Sequence, residues 1–337
     1  MNTTGIIGHA RQLKLLDLLL ASGKIPQTML FSGMPGIGKR LVARRFLAAL
    51  FCSAVDPPCH SCPSCLQAAG GTHPDIIEMG PDEKGAIPIG EADGSEPGSV
   101  RWLIDRLSKK SISGTYGVII DGAESMSRPG QNALLKTIEE PQAGAHIILV
   151  TAGRSLILPT IFSRSMYIPF SPLSPGEIIE FLSTRGAAES GDPALVAELS
   201  GGSIEAALHL GGDDTLAGIA GICGEIASHL TSGESIELDI APLQKKFGTD
   251  LLLSILVNIY RTLLISAITG TQPHPFLASL GIDDRERTVK IIKILLALRK
   301  GLANNLNIRN ALKGMIYSID GIKEFGLPGL DGAGERI

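Results

Sequence analysis

Phe31-Ser32-Gly33-Met34-Pro35-Gly36-Ile37-Gly38-Lys39-Arg40 decides how this chain is read. In a phosphate-binding loop, glycines let backbone N–H groups cradle phosphates, a lysine reaches the outer phosphates, and a following Ser or Thr hydroxyl helps to hold Mg²⁺. Gly33, Gly36, Gly38 and Lys39 fit that pattern, and Arg40 breaks it. A guanidinium has no acceptor lone pair and repels a divalent cation. The expectation is a degenerate loop in which ATP or ADP binding is weak or absent. Whether it holds a nucleotide, an anion or nothing stays open at this point.

The flanks fix the context. Met29-Leu30-Phe31 reads as the end of a buried strand, while Leu41, Val42, Ala43, Phe46, Leu47 and Leu50 continue at helical spacing. Strand, glycine loop and helix, in that order, present the helix N-terminus to an anion. Upstream, Leu13, Leu16 and Leu20 share one face of an amphipathic helix over 10–22, with Gly23 as its stop.

With 337 residues and 44% hydrophobic content, the chain has room for two or three domains with real cores. A net charge of −4 supplies no global attraction to nucleic acid, so any DNA contact must come from local patches or from an assembly. The N-terminus lacks the basic and apolar pattern of a secretory signal. Leu251 to Thr269 is long enough to span a membrane, but Asn258 and Arg261 fall inside it. Both are costly in hydrocarbon, which favours a buried helix of a soluble, cytoplasmic protein.

After the loop helix, Cys52, Cys59, Cys62 and Cys65 follow the spacing C-x6-C-x2-C-x2-C. Four thiols this close suit a tetrahedral Zn²⁺, and a reducing compartment argues against disulfides. Because four cysteines leave no open coordination position, the expected zinc is structural. His60 is the alternative ligand, and a solvated loop histidine is the preferred reading of it; Cys223 reads as a small buried residue.

His73 to Met79 resembles a short strand, and Gly85 to Gly98 an exposed loop or hairpin. Ser99 caps a helix whose inner face is Val100, Leu103, Ile104 and Leu107. The single tryptophan, Trp102, is either buried or at a subunit contact, with burial preferred. Tyr116 to Asp121 has the form of the second nucleotide-binding strand, whose Asp meets Mg²⁺; Asp121 reads equally as a turn former. Gly122 stands where an ATPase needs a further acid, and Glu124 comes after the strand has ended. A helix from Asn132 is halted by Pro141, and His146 to Thr151 forms another buried strand. Thr151 either senses a γ-phosphate or caps a turn. Strand and helix alternate to about residue 170, which implies a parallel sheet covered by helices.

Strand signals then vanish. Ser174-Pro175-Gly176-Glu177 is a capping box, Asp192-Pro193 opens a second helix and Gly201-Gly202-Ser203 a third. Long apolar helices follow through Ile322, broken at Gly270 to Pro275, and Leu327 to Ile337 reads as a frayed tail.

Several features coincide: the P-loop, the four-cysteine insert behind its helix, Asn132-Ala133-Leu134-Leu135-Lys136-Thr137-Ile138-Glu139-Glu140-Pro141, and Leu158-Pro159-Thr160-Ile161-Phe162-Ser163-Arg164-Ser165. Together they resemble the bacterial DNA polymerase III clamp-loader family of AAA+ proteins, closely over 5–215. The match is looser beyond, through Arg261-Thr262-Leu263-Leu264 and Asn305-Leu306-Asn307-Ile308-Arg309. The resemblance implies an α/β P-loop (AAA+, RecA-like) parallel-sheet domain over 1–170 with a zinc insert at 52–65. It further implies a helical lid over 171–213 and an all-α collar over 214–337.

The family's gamma/tau motor carries Lys-Thr or Lys-Ser in its loop and Asp-Glu after its second strand, where this chain has Lys39-Arg40 and Asp121-Gly122. Glu205 stands where motors carry a sensing arginine. The pattern therefore resembles the family's non-hydrolysing stator. The Ser163-Arg164-Ser165 stretch is similar to its Ser-Arg-Cys motif, which implies that Arg164 serves, in trans, ATP held by a neighbouring subunit. Implied partners are the gamma/tau motor and delta subunits of a pentameric ring, the sliding clamp, and primed DNA reached through the assembly. A gamma/tau-type motor and a purely structural zinc-bearing scaffold are the alternatives.

Overall fold

The computed structural model describes residues 1–140, 144–184, 192–211, 213–232, 240–280 and 284–301. The chain divides into two compact units, Met1–Glu177 and Ile178–Ile337.

In the first unit, α1 (Ala10–Ser22) ends on Gly23 in the left-handed region, as the leucine spacing predicts. β1 (Thr28–Ser32) leads through the glycine loop into α2 (Lys39–Leu50), and α3 (Pro63–Ala69) follows the cysteines. Then come β2 (Ile76–Met79), α4 (Val100–Ser108), β3 (Tyr116–Ile120) and a 3-10 turn at Ala123–Ser125. The unit continues through α5 (Arg128–Glu139), β4 (Ala145–Thr151), α6 (Pro159–Phe162), β5 (Met166–Pro169) and the start of α7 (Pro175–Thr184). The five strands form one parallel sheet in the order β2-β3-β4-β1-β5.

Both faces of this sheet are covered, which explains why its strands read as unbroken apolar runs. Leu30, Val118, Ile120, Ile147 and Leu149 face one core with Leu103 and Leu107 of α4 and Leu134 and Ile138 of α5. Met29, Phe31, Ile119, Ile148 and Val150 face the other with Leu16 of α1 and Val42, Phe46 and Leu47 of α2. The period-2 alternation of strand side chains makes this division.

Three expectations shift in detail. The segment after β2 is no hairpin among the described residues: Ile87 is buried and bridges in parallel to Met126. Trp102 is half-buried, packed on the rim of the first core. α5 starts four residues before Asn132, because the Ser127 hydroxyl caps it by accepting from Gly130 N at 3.3 Å; Pro141 lies outside the described residues.

Asp75 pins the entry to β2. Its buried carboxylate accepts from Ile112 N at 2.9 Å and from Ser113 N and Oγ, both at 2.6 Å. Burial raises its pKa, but the Ser113 hydroxyl, the Ile112 and Ser113 N–H groups and nearby His73 outweigh that and hold it below the ordinary 3.8. The stabilisation is therefore present above the unfolded value and lost as pH falls through the lower folded one. Asp75→Ala is expected to cost about 2–4 kcal/mol at neutral pH, since charge-assisted bonds are lost together and two amides are left unpaired. Urea unfolding of both forms from pH 7 to pH 2 should show the difference shrinking only at the acid end.

The second unit is helical among its described residues: the rest of α7, then α8 (Pro193–Leu199), α9 (Ile204–Leu210), α10 (Asp213–Ser232) and α11 (Ala241–Phe247). α12 (Thr249–Thr269), α13 (Pro275–Ala278) and α14 (Arg285–Gly301) complete it. α8 and α9 start on the predicted caps, Asp192 and Ser203. α12 is long and apolar enough to cross a membrane. Here Leu252, Ile255, Leu256, Ile259, Tyr260 and Leu263 are buried, and the helix packs against α8, α11, α13 and α14. Of the two residues in that run that hydrocarbon disfavours, Asn258 donates to Leu199 O at 3.4 Å and Arg261 is exposed. Cys223 is fully buried, as expected, and burial pushes its thiol up to about 12. The looser resemblance at Asn305–Arg309, the helical pattern up to Ile322 and the tail Leu327–Ile337 lie outside the described residues.

Candidate functional site

The glycine loop joins the C-terminal end of β1 to α2, with β4 and β5 on either side. In open α/β sheets ligands gather at such strand ends. Gly36 and Gly38 take φ of 75° and 95°, which L side chains resist. Gly33 is needed for closeness: a Cβ there would stand 2.4 Å from Phe170 O. The backbone thus has the conformational means to form a phosphate cradle.

The side chains complete it differently. Lys39 is buried and turned into the loop, its Nζ donating to Gly33 O at 2.6 Å and Met34 O at 2.7 Å. Burial lowers its pKa, against the pull of Glu124 and Asp121. Arg40 reaches across the strand ends, pairing through Nε with Glu78 of β2 and lying 3.6 Å through Nη1 from Asp121 Oδ2 just beyond β3. Arg44, one turn further along α2, also grips Glu78, with Nη2 at 2.6 Å from Oε2. Burial raises the Asp121 pKa, and Arg40 and Lys39 oppose that. A guanidinium therefore faces the carboxylate at the end of β3.

Thr151 ends β4 directly beside Ser32 of β1. Its hydroxyl donates to Gly153 O at 3.1 Å and accepts from Gly153 N at 3.2 Å, so it closes the turn after the strand. Gly122 takes φ 63°, and Glu124 folds back from the 3-10 turn to accept from Ala152 N at 2.9 Å.

Arg164 lies apart from this group in sequence and contacts, between α6 and β5. Nη1 donates to Thr160 O at 3.1 Å and Ser163 Oγ at 3.4 Å, and Nη2 stands 2.8 Å from Glu139 Oε1. Its side chain remains 42% exposed, enough to meet another molecule.

The cysteines converge. The Sγ atoms of Cys52, Cys59, Cys62 and Cys65 all lie within 4.8 Å of one another, and Cys59 and Cys65 are 4.0 Å apart. Zn–S bonds of about 2.3 Å in a tetrahedron imply S···S edges of about 3.8 Å, so the cluster is slightly wider than a metal would draw it. Cys62 N donates to Cys59 Sγ at 3.3 Å and Cys65 N to Cys62 Sγ at 3.4 Å, bonds that stabilise thiolates. The Ser61 hydroxyl and neighbouring N–H groups lower the Cys59 thiol to about 5, whereas burial lifts Cys65 to about 12. The donor set and its spacing can bind a metal ion. His60 is outside the cluster, its Nε2 against the Arg45 guanidinium.

Sequence reasoning missed Glu78, Gln131 and Glu139. Gln131, buried in α5, donates to Met126 O at 3.3 Å and Leu156 O at 3.4 Å and accepts from Leu158 N at 2.9 Å. It clasps the segment that leads to Arg164. The signal available for Glu78 was a lone acid near a strand end with two arginines one turn apart on α2.

A parallel sheet with a glycine loop behind β1, a lysine at the helix start and an acid after β3 makes the first unit a P-loop domain. Residues 8–174 match a family described as DNA polymerase III, delta subunit. DNA polymerase III subunit gamma/tau of Mycobacterium tuberculosis (strain ATCC 25618 / H37Rv) is 33% identical over 176 residues, covering 50% of this chain and 28% of that protein. DNA polymerase III subunit delta' of Bacillus subtilis (strain 168) is 31% identical over 170 residues, covering 50% of this chain and 49% of that protein. Over residues 8–174, just under half of its length, this chain is similar to the DNA polymerase III clamp-loader family, and it spans less than half the length of these two relatives. A gamma subunit-related DNA polymerase III protein from Thermotoga maritima aligns over 90% of this chain and 98% of its own at 18% identity with a TM-score of 0.46.

Proposed function

We propose that this chain is the non-hydrolysing, delta-prime-type stator of a bacterial replicative clamp loader, offering Arg164 in trans to ATP held by a neighbouring motor subunit. The observation that carries this reading is Arg40. Its guanidinium pairs with Glu78 and Asp121, where an ATPase would hold Mg²⁺, while Lys39 is satisfied by the loop's own carbonyls.

Hydrolysis on the neighbour would proceed by attack of water on the γ-phosphorus as ADP leaves. Charge builds on the transferring phosphoryl oxygens, and a permanently charged planar donor stabilises it. Arg164 is such a donor, presented on a short stiff connection rather than a free tail. Cys52, Cys59, Cys62 and Cys65 would hold a structural Zn²⁺, whose role is to crosslink the insert behind α2. The division into a P-loop domain over 1–170, a lid over 171–213 and a collar over 214–337 belongs to this proposal, as do the motor and delta subunits of a pentameric ring, the sliding clamp, primed DNA and a cytoplasmic location.

The isolated chain with Mg-ATP is expected to release no phosphate above background. The relatives named gamma/tau keep a motor reading in play, and turnover by the isolated chain would establish that reading instead. An assembled loader indifferent to Arg164 would leave a structural scaffold.

A further inference from the structure

Glu139 occupies a place that helix electrostatics disfavours. It lies in the last turn of α5, where the aligned peptide dipoles present a negative pole that suits cations such as neighbouring Lys136. A carboxylate there does the helix no service, and a local rule broken without local gain is a sign of function. What Glu139 does touch is Arg164, with Oε1 at 2.8 Å from Nη2.

From this geometry we infer that Glu139 parks Arg164 on its own subunit and is exchanged for phosphate oxygens when a neighbour's ATP arrives. The inference rests on the stator reading. Both side chains are more than two-fifths exposed, 42% for Arg164 and 43% for Glu139, so water screens the pair and its hold is weak. A triphosphate carries several charges against the single one of Glu139, so it wins the guanidinium. Thr160 O within α6 and Ser163 Oγ just after it keep hold of Nη1, so the side chain is steered while Nη2 is released. Before the exchange, Glu139 neutralises the finger and repels incoming phosphate. It is a positioning residue that competes with the nucleotide.

The test is DNA-stimulated ATP hydrolysis by the assembled loader, titrated with Mg-ATP, for the wild-type chain, Glu139→Gln, Arg164→Ala and the double variant. Glutamine keeps the size of the side chain and removes its charge, so equal thermal midpoints would exclude a folding defect. Glu139→Gln is expected to lower the KM for ATP about two- to fivefold with kcat unchanged, the range an exposed ion pair allows. In the Arg164→Ala background the same change should have no effect. If Arg164→Ala lowers the rate while Glu139→Gln leaves KM where it was, or lowers kcat as a structural brace would, the parking role is refuted and the stator reading stands. If Arg164→Ala itself changes nothing, both fall together.

Discussion

Arg164→Ala is expected to cut ATP hydrolysis at the site it faces by about 10³–10⁵, the range that arginine fingers contribute. The effect should fall mainly on kcat, because the guanidinium's hold on the phosphate oxygens strengthens as charge builds on the transferring phosphoryl. Arg164→Lys should restore little, since a single ammonium cannot reproduce two parallel N–H donors held in a plane. The fold should tolerate both changes: the side chain is 42% exposed, and its bonds to Thr160 O, Ser163 Oγ and Glu139 are surface contacts. Size-exclusion chromatography of the reconstituted loader would first confirm equal assembly. Phosphate release with primed DNA then gives the rates, and an unchanged rate would remove the finger from the account.

Removing the Zn²⁺ proposed for the cysteine cluster should have the largest structural effect. Structural zinc sites carry apparent binding free energies of about 10–16 kcal/mol in small peptides, comparable to the whole stability of an ordinary domain. Between Cys52 and Cys62 there is no regular element, and α3 begins only at Pro63, so little besides the thiols orders this stretch. Chelation, or Cys62→Ser, is expected to unfold 52–65 locally and to expose the Cys62 and Cys65 amides, which now donate to thiols, to rapid hydrogen exchange. The sheet should survive, because its two cores are built from α1, α2, α4 and α5 with the strands. Elemental analysis should find one zinc per chain, and a chain bearing no metal would refute the site.

The P-loop context was legible because it is local. A strand, three glycines, a lysine and a helix occupy one continuous stretch, and each glycine answers a backbone requirement that only a missing Cβ meets. The cysteines were legible for the same reason: their spacing within fourteen residues restricts them to one neighbourhood, 52–65, and their sulfurs do converge. The helix starts at Ser99, Asp192 and Ser203 were local as well, set by one hydroxyl or carboxylate and the amides just after it.

Glu78 and Glu139 were not legible, since their importance depends on residues 38 and 25 positions away that only the folded sheet brings to them. The Gly85–Gly98 segment is the loop its composition suggests, but its fastening beside Met126 through buried Ile87 was not legible, because that bridge joins residues 39 positions apart.

By itself the sequence determined the kind of domain and the loss of its metal-binding hydroxyl, because both are written in neighbouring residues whose chemistry needs no partner. The tertiary structure alone decided what Arg40 and Arg164 meet. Arg40 meets Asp121 and Glu78 only because β1, β3 and β2 end on the same edge of a parallel sheet, and Arg164 meets Glu139 only because the end of α5 comes to rest beside the short connection from α6 to β5. Charges act through space over a few ångströms, and the fold sets those distances.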